Sequence, residues 1–298
     1  MSGSRQVLVF WYRIIGLLGV VLASGLLQGC SAIKLAYNNA PELAYWWLDG
    51  YADLDDAQSL KVREELVRLQ QWHRTNELPR IAELLQKTRQ MALTDTTPEQ
   101  VCGLFDEARK RVDAVTAQAE APTVAVAMTL RPSQLTHMEA RFAKGNAEWR
   151  EEWIDGSIAE RQERRLQKTI ERSEQFYGTL EERQLAVLRG AIQQSSFDPQ
   201  RSYRERLRRQ RDVIQALREA TSSPPPGPVQ ATAIFRATLE RTLNSPDPSY
   251  RSYAVRAIGD SCRTFALLHN STTAEQRERA ARRLAAYERD ARELTLKP

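Results

Sequence analysis

Trp72, His73 and Arg74 are consecutive, and Glu77 follows His73 by four positions. In a helix this spacing puts the imidazole and the carboxylate on one face, where they could ligate a metal or act as an acid and a base. The other two histidines lie far away in sequence, and the chain has no HExxH motif or Cys/His cluster. We therefore predict no metal, no cofactor and no catalytic residue, and interpret His73 as a hydrogen-bonded surface or groove residue. Because Trp and Arg often anchor binding surfaces, Trp72, His73 and Arg74 are the first candidates for contact with a partner.

An arginine-rich segment, residues 201–218, is the second candidate for binding. Its positive charge could attract phospholipid headgroups or an acidic client, with Arg204, Arg208 and Arg211 as the candidate contacts. The alternative is a solvated helix face that carries internal ion pairs. The whole chain has a net charge of only +5, so we expect no nucleic-acid partner.

Cys30 ends a segment typical of exported proteins. Arg5 and Arg13 precede an apolar run over residues 14–27, and the small Gly29 stands just before the cysteine. This segment resembles a bacterial lipobox, which implies a signal peptide over residues 1–29 and a diacylglycerol on Cys30. Since Ser31 rather than aspartate follows, the resemblance also implies the periplasmic face of a Gram-negative outer membrane. An uncleaved membrane anchor is the alternative, but the run is shorter than the ~20 residues that a spanning helix needs.

The remaining cysteines, Cys102 and Cys262, would then lie in an oxidising compartment. A disulfide between them would close a long loop and tie the end of the chain to its first half. Two separate buried thiols are an equally good interpretation, because free cysteine is often buried. The sequence leaves both alternatives open.

An aromatic-rich stretch follows the predicted lipid site and holds Tyr37, Tyr45, Trp46, Trp47 and Tyr51. Trp and Tyr favour membrane interfaces, since each combines an apolar ring with a polar tip. Packing against the following helices is the alternative, and it is the one that we favour slightly here.

Apolar residues recur at helical spacing along the rest of the chain, and no stretch is typical of a strand. We predict an all-α fold: an elongated multi-helix array with long helices and no sheet. The predicted parts are a lipidated, aromatic-rich N-terminus (30–53), a main helical region (54–221), a Pro-rich linker (222–228) and a C-terminal helical region packed on the main body (229–298). Residues 135–177 are predicted to form one very long polar helix.

One amphipathic stripe is predicted between residues 101 and 115. It is formed by Val101, Leu104, Phe105, Ala108, Val112 and Val115.

A five-residue pattern ending in glutamine begins several of the predicted helices. Its copies are residues 54–58, 96–100, 130–134, 180–184 and 272–276. The pattern fits a capping box, in which the first side chain accepts a backbone N–H and the glutamine bonds back to the cap residue. It resembles the LTxxQ motif of small all-helical periplasmic chaperones, which implies binding of unfolded clients.

The wider layout resembles an uncharacterised family of proteobacterial lipoproteins, which implies no activity. The residues that carry this resemblance are Tyr37-Asn38-Asn39, Tyr45-Trp46-Trp47, Gln58, Trp72-His73-Arg74 and Leu78-Pro79.

Together these features predict an outer-membrane lipoprotein with a non-catalytic binding role. A chaperone-like or envelope-homeostasis protein, which binds unfolded or envelope proteins, is the first hypothesis. A structural scaffold that holds one specific envelope partner is the second, and an enzyme that uses His73 is the weakest. The oligomeric state is left open.

Overall fold

The fold is an elongated array of α-helices, as the apolar spacing predicts. A computed structural model describes residues 28–296, with side chains from Ile33 onward, and within that range it contains twelve helices and no strand. They are α1 (Gln28–Asn38), α2 (Ala40–Ala52), α3 (Asp56–Asn76), α4 (Leu78–Met91), α5 (Pro98–Ala127), α6 (Pro132–Trp153), α7 (Ile158–Tyr177), α8 (Glu182–Gln194), α9 (Pro199–Ala220), α10 (Pro228–Leu243), α11 (Pro248–Asn270) and α12 (Ala274–Thr295). The all-α prediction is confirmed.

The predicted signal peptide falls outside the described residues, apart from its last two positions. Among the helices of the described range, none is both long enough and apolar enough to cross a membrane.

Proline and side-chain caps set most of the helix starts. Pro98, Pro132 and Pro248 stand in the first turn of their helices, where a missing N–H costs nothing. Asp55 caps α3 by accepting the Gln58 N–H at 2.9 Å, while the Gln58 side chain accepts the Asp55 N–H. The predicted capping boxes are complete at Asp55, Thr97 and Thr273, whereas at Arg131 and Glu181 only the glutamine accepts the cap N–H.

The prediction of one long helix over residues 135–177 is wrong, because the helix ends at Trp153. Gly156 adopts a φ of +90°, a left-handed conformation that glycine tolerates best. Ser157 then caps α7 and accepts the Glu160 N–H. A turn residue and a cap in succession end one helix and start the next.

Helices α5 and α11 lie side by side and are joined covalently. Cys102 and Cys262 form a disulfide with a Cα–Cα distance of 5.5 Å. Asn270 and Thr96 exchange two hydrogen bonds of 2.9 Å, from the Thr96 N–H to the Asn270 side chain and from that side chain to the Thr96 carbonyl. Because both pairings join the start of α5 to the end of α11, the two helices run antiparallel. At a rise of 1.5 Å per residue, α5 alone is about 45 Å long.

The helices after the Pro-rich segment pack on the earlier ones. Helix α10 packs on α5 and α9, α11 on α5 and α8, and α12 on α4 and α7. The larger of the apolar clusters lies at one end of the α5–α11 pair and contains Leu166, Tyr177, Leu180, Leu188, Ile192, Leu268 and Ala280. A smaller cluster at the opposite end contains Ala127, Leu130, Leu135 and Leu217.

Two expectations about burial are wrong in part. In the predicted stripe on α5, Val101 is buried, but Phe105 is 46% exposed and Val112 is 62% exposed. In the aromatic stretch Tyr45 is buried, whereas Trp46 and Trp47 project into solvent. Periodicity identifies a helix face, but the neighbours that cover a face are set by tertiary packing.

Candidate functional site

Four of the recurring glutamines meet in two pairs, and we call each pair a clasp. The first clasp consists of Gln58 and Gln134. Each glutamine accepts the N–H of its own cap residue, and each side-chain amide donates to the other glutamine, with N–O distances of 3.4 and 2.7 Å. The Gln134 amide also donates to the carbonyls of Ala52 and Asp53, and Gln58 donates to that of Thr129. The clasp therefore joins the α2–α3 turn to the α5–α6 turn.

Gln184 and Gln276 form the second clasp in the same way. The Gln184 amide donates to Gln276 at 2.6 Å, and the Gln276 amide donates back at 3.0 Å. The Gln184 amide also donates to the carbonyl of Ser271, and the Gln276 amide donates to the carbonyl of Thr179. This clasp joins the α7–α8 turn to the α11–α12 turn, at the other end of the α5–α11 pair.

Gln100, in the remaining copy of the pattern, has no glutamine partner among the described residues. It is exposed and accepts the Thr97 N–H in a plain capping box. Paired and unpaired copies alike therefore have a structural role. The pattern explains how the helices join, and it does not by itself define a binding surface.

The predicted cluster Trp72, His73 and Arg74 faces inward to a large extent. The hydroxyl of Tyr37 lies 3.0 Å from Nδ1 of His73, and the Arg74 guanidinium donates to the carbonyl of Leu294 at 2.9 Å. Burial lowers the pKa of His73 below its usual value, although the nearby Glu77 carboxylate raises it in part. His73 and Arg74 hold α1 and the end of α12 against α3, which leaves the half-buried Trp72 as the least engaged of the three.

Glu77 is an internal ion-pairing residue in this arrangement. Its carboxylate is 1% exposed and lies 3.5 Å from Arg80 and 3.4 Å from Arg111. Within residues 28–296, no group of three or more His, Cys, Asp or Glu side chains is arranged to hold a metal ion.

The arginine-rich segment on α9 is divided between ion pairs and exposed side chains. Arg208 bonds to Glu205 at 2.6 Å and to Asp212 at 2.7 Å. Burial would raise the pKa of Glu205, but hydrogen bonds from Arg208, Ser245 and Arg209 hold it below its usual value. Arg208 is therefore engaged by internal partners.

Arg204 and Arg211 are exposed on the same helix. Neither makes an ion pair or a hydrogen bond to another residue in the described range. These two arginines are therefore available to bind an anionic group on a partner.

A groove of about 450 Å³ separates α6 from α9, and Arg211 lies on its rim. Phe142, Leu207 and Ile214 supply its apolar lining. At one end Glu139 and Arg218 form an ion pair of 2.8 Å across the groove. At the other end Asn146 and Gln210 exchange hydrogen bonds of 2.7 and 3.0 Å, and Arg206 also donates to Asn146. The volume lies within the range of small-ligand pockets.

Of the predicted site residues, the structure places only Arg211 in this groove. Helix α3 packs on α2, α4, α5 and α12, while α9 packs on α6 and α10, so the two predicted groups have different neighbours. Sequence reasoning missed Phe142, Asn146 and Gln210, because nothing in their local pattern shows that α6 and α9 are adjacent. The side chain of Cys30 falls outside the described side chains.

These features define an all-helical, disulfide-linked protein that carries a mixed apolar and charged groove between α6 and α9. The chain belongs to the family described as "Family of unknown function (DUF6279)", which matches residues 50–225. The match ends within the Pro-rich segment. No curated protein and no solved structure matches the chain.

Proposed function

We propose that this protein is a lipoprotein anchored to the periplasmic face of the outer membrane, with a chaperone-like, non-catalytic binding role. Its client is an apolar segment of an unfolded or envelope protein, and the groove between α6 and α9 is the binding site. The lipobox-like segment ending at Cys30 supports the anchor. The disulfide between Cys102 and Cys262 supports an oxidising compartment.

The groove carries the proposal, because its chemistry matches a short peptide rather than a reaction. Phe142, Leu207 and Ile214 offer apolar contact, and Arg211 offers a cation that no internal acid neutralises. An apolar segment with an acidic residue beside it would satisfy both features. The ion pair between Glu139 and Arg218 is exposed, so its opening would cost little.

Filling the groove tests the proposal without a change of charge. Ala143 is exposed and lines the groove, so Ala143→Trp should occupy it while leaving the helix intact. Ala140 is exposed on the same helix but does not line the groove, and Ala140→Trp is the matched control. The measurement is the suppression of aggregation of an unfolded test protein by the mature chain carrying Cys30→Ser.

A second pair of variants tests the charge. We expect Arg211→Glu to weaken suppression about tenfold, since a like charge would face the acidic client, and Arg204→Glu to leave it unchanged. Equal behaviour of the groove and control variants would contradict the groove as the site. Absence of suppression by the parent chain at any ratio would contradict the chaperone-like role and favour a scaffold with one specific partner.

A further inference from the structure

The outer face of α2 is apolar and open to solvent. Leu43, Trp46 and Trp47 follow the spacing i, i+3, i+4, so they share one face, and they are 48%, 61% and 64% exposed. The preceding helix adds Leu35, which is 67% exposed. Water contact with two tryptophan rings is unfavourable, and such patches usually mark a surface that another phase or molecule covers.

The two acidic residues of α2, Glu42 and Asp49, flank this face beside Trp46, and both are engaged by internal partners. Glu42 is paired with Arg63, and Asp49 accepts the Leu54 N–H at 2.9 Å. The helix therefore pairs its charges and exposes its two tryptophan rings. This distribution is the reverse of an ordinary surface helix, and exposed tryptophans of this kind are enriched where proteins meet the membrane interface.

The course of the chain identifies what covers the face. Trp46 is sixteen residues after Cys30, which is about 24 Å at the helical rise of 1.5 Å per residue. A lipid on Cys30 brings the bilayer to the start of α1, and an uncleaved apolar run over residues 14–27 would bring it to the same place. Under either form of attachment α2 is held close to the membrane surface.

We propose that the α2 face formed by Leu43, Trp46 and Trp47 lies in the interfacial layer of the membrane and contacts phospholipid headgroups and upper acyl chains. This inference rests on the proposed membrane attachment. Trp favours that layer because its ring is apolar and its N–H can bond to headgroups. With α1 and α2 both at the bilayer, the protein has a fixed orientation on the membrane instead of a freely rotating tether.

Quenching by brominated phospholipids tests the contact. The lipidated protein is purified from membranes and reconstituted into vesicles in which part of the phospholipid carries bromine on its acyl chains. We expect these lipids to quench tryptophan fluorescence, and Trp46→Phe/Trp47→Phe to abolish most of that quenching. Phenylalanine keeps the face apolar, so the variant removes the fluorophores without removing the contact.

Trp149→Phe/Trp153→Phe is the matched control, because it also removes two tryptophans, both half-buried on α6. It should leave the quenching by lipid unchanged. If the α2 tryptophans stay unquenched by lipid and accessible to acrylamide, the face is in water and the inference is wrong. If they are shielded from both quenchers and the protein is dimeric, a second copy covers the face, and the inference is equally wrong.

Mass spectrometry of the same preparation separates this inference from the proposed anchor. A chain without diacylglycerol on Cys30 that still shows lipid quenching through Trp46 and Trp47 would contradict the lipid anchor and support the interfacial α2. A lipidated chain without that quenching would support the anchor and contradict the interfacial α2.

Discussion

The two glutamine clasps use one hydrogen-bond design in different surroundings. Both clasps are buried, and the second lies beside the larger apolar cluster, where Gln184 is 0% exposed compared with 6% for Gln58 at the first. The first clasp lies beside the smaller cluster and adds an exposed ion pair of 2.6 Å between the cap residues Asp55 and Arg131. Since an unpaired amide costs more where water cannot reach it, the same substitution should be more damaging at the second clasp.

The clasps also differ in their neighbours. The first is bonded to the end of α2, the helix with the exposed tryptophans, through the carbonyls of Ala52 and Asp53. The second is next to a buried pair, in which the Tyr177 hydroxyl lies 2.9 Å from Nδ1 of His269. One end of the molecule thus positions a surface, whereas the other is mainly a stable core.

Loss of the disulfide should have the largest effect on the free energy of unfolding. The disulfide joins the two helices that run between the clasps. Cys102 and Cys262 are 160 residues apart, and the chain-entropy model gives about 5 kcal/mol for a loop of that length. We expect Cys102→Ser/Cys262→Ser to lower the free energy of unfolding by up to that amount in urea titrations. The parent protein with reductant should match the variant, and a loss below about 1 kcal/mol would contradict the entropic account.

Gln184→Leu should have the next largest effect. It removes the partner of Gln276 and leaves the Glu181 N–H and the Ser271 carbonyl without that side chain in a buried place. We expect a loss of about 3 kcal/mol in the free energy of unfolding, measured by denaturant titration. A loss no larger than that of an exposed capping residue would contradict the importance of the buried pair.

Gln58→Leu should cost less, about 2 kcal/mol, since the first clasp lies beside fewer buried apolar residues. Gln100→Leu is the matched control, because Gln100 has the same capping role but is exposed and lacks a glutamine partner in the described range. We expect the control to lose about 0.5 kcal/mol. Hydrogen exchange at the two turns would show which end opens first. Equal costs at Gln58 and Gln184 would remove the difference between the clasps.

Acidification should destabilise the end of the molecule that holds the second clasp before the end that holds the first. Burial lowers the pKa of His269 below its usual 6.5, while the hydrogen bond to the Thr94 carbonyl raises it in part and Arg277 lowers it further. The unfolded chain then binds the proton more readily, so the stability from neutral His269 is complete above pH 6.5 and falls as the pH drops toward the folded pKa. Hydrogen exchange from pH 7.5 to 5 measures this, and a first clasp that opens earlier would contradict it.

The smallest effect is expected from Arg131→Gln, which removes the exposed ion pair with Asp55 at the first clasp. Pairs of this kind contribute about 0.5 kcal/mol, and salt screens them. Thermal melts in low and high salt should differ for the parent and converge for the variant. A loss above about 2 kcal/mol would mean that Arg131 does more than pair on the surface.

The sequence predicts much of this fold because helix starts depend on local chemistry. Prolines, caps and glutamines lie within a few residues of the helix ends that they set, as Asp55 and Gln58 do for α3. The residues Asp155-Gly156-Ser157 are typical of a turn, and the prediction of one long helix does not take them into account.

The candidate site is much less predictable, because it depends on which helices are neighbours. A capping glutamine looks the same whether it meets another glutamine, as Gln184 does, or faces water, as Gln100 does. Arg208 and Arg211 are three residues apart, yet one is bound to internal acids and the other lines a groove. The local sequence does not distinguish the members of either comparison, because their partners are set by residues far away along the chain.

The pairing of glutamines also constrains the order of folding. Gln58 can form its pair only when Gln134 is in place. Gln184 can form its pair only when Gln276, near the end of the chain, is in place. Each pairing closes a loop of many residues, which costs chain entropy before any buried contact repays it. The end of the body that holds the second clasp therefore cannot close until the last helix is in place, whereas the first clasp needs only the first half of the chain.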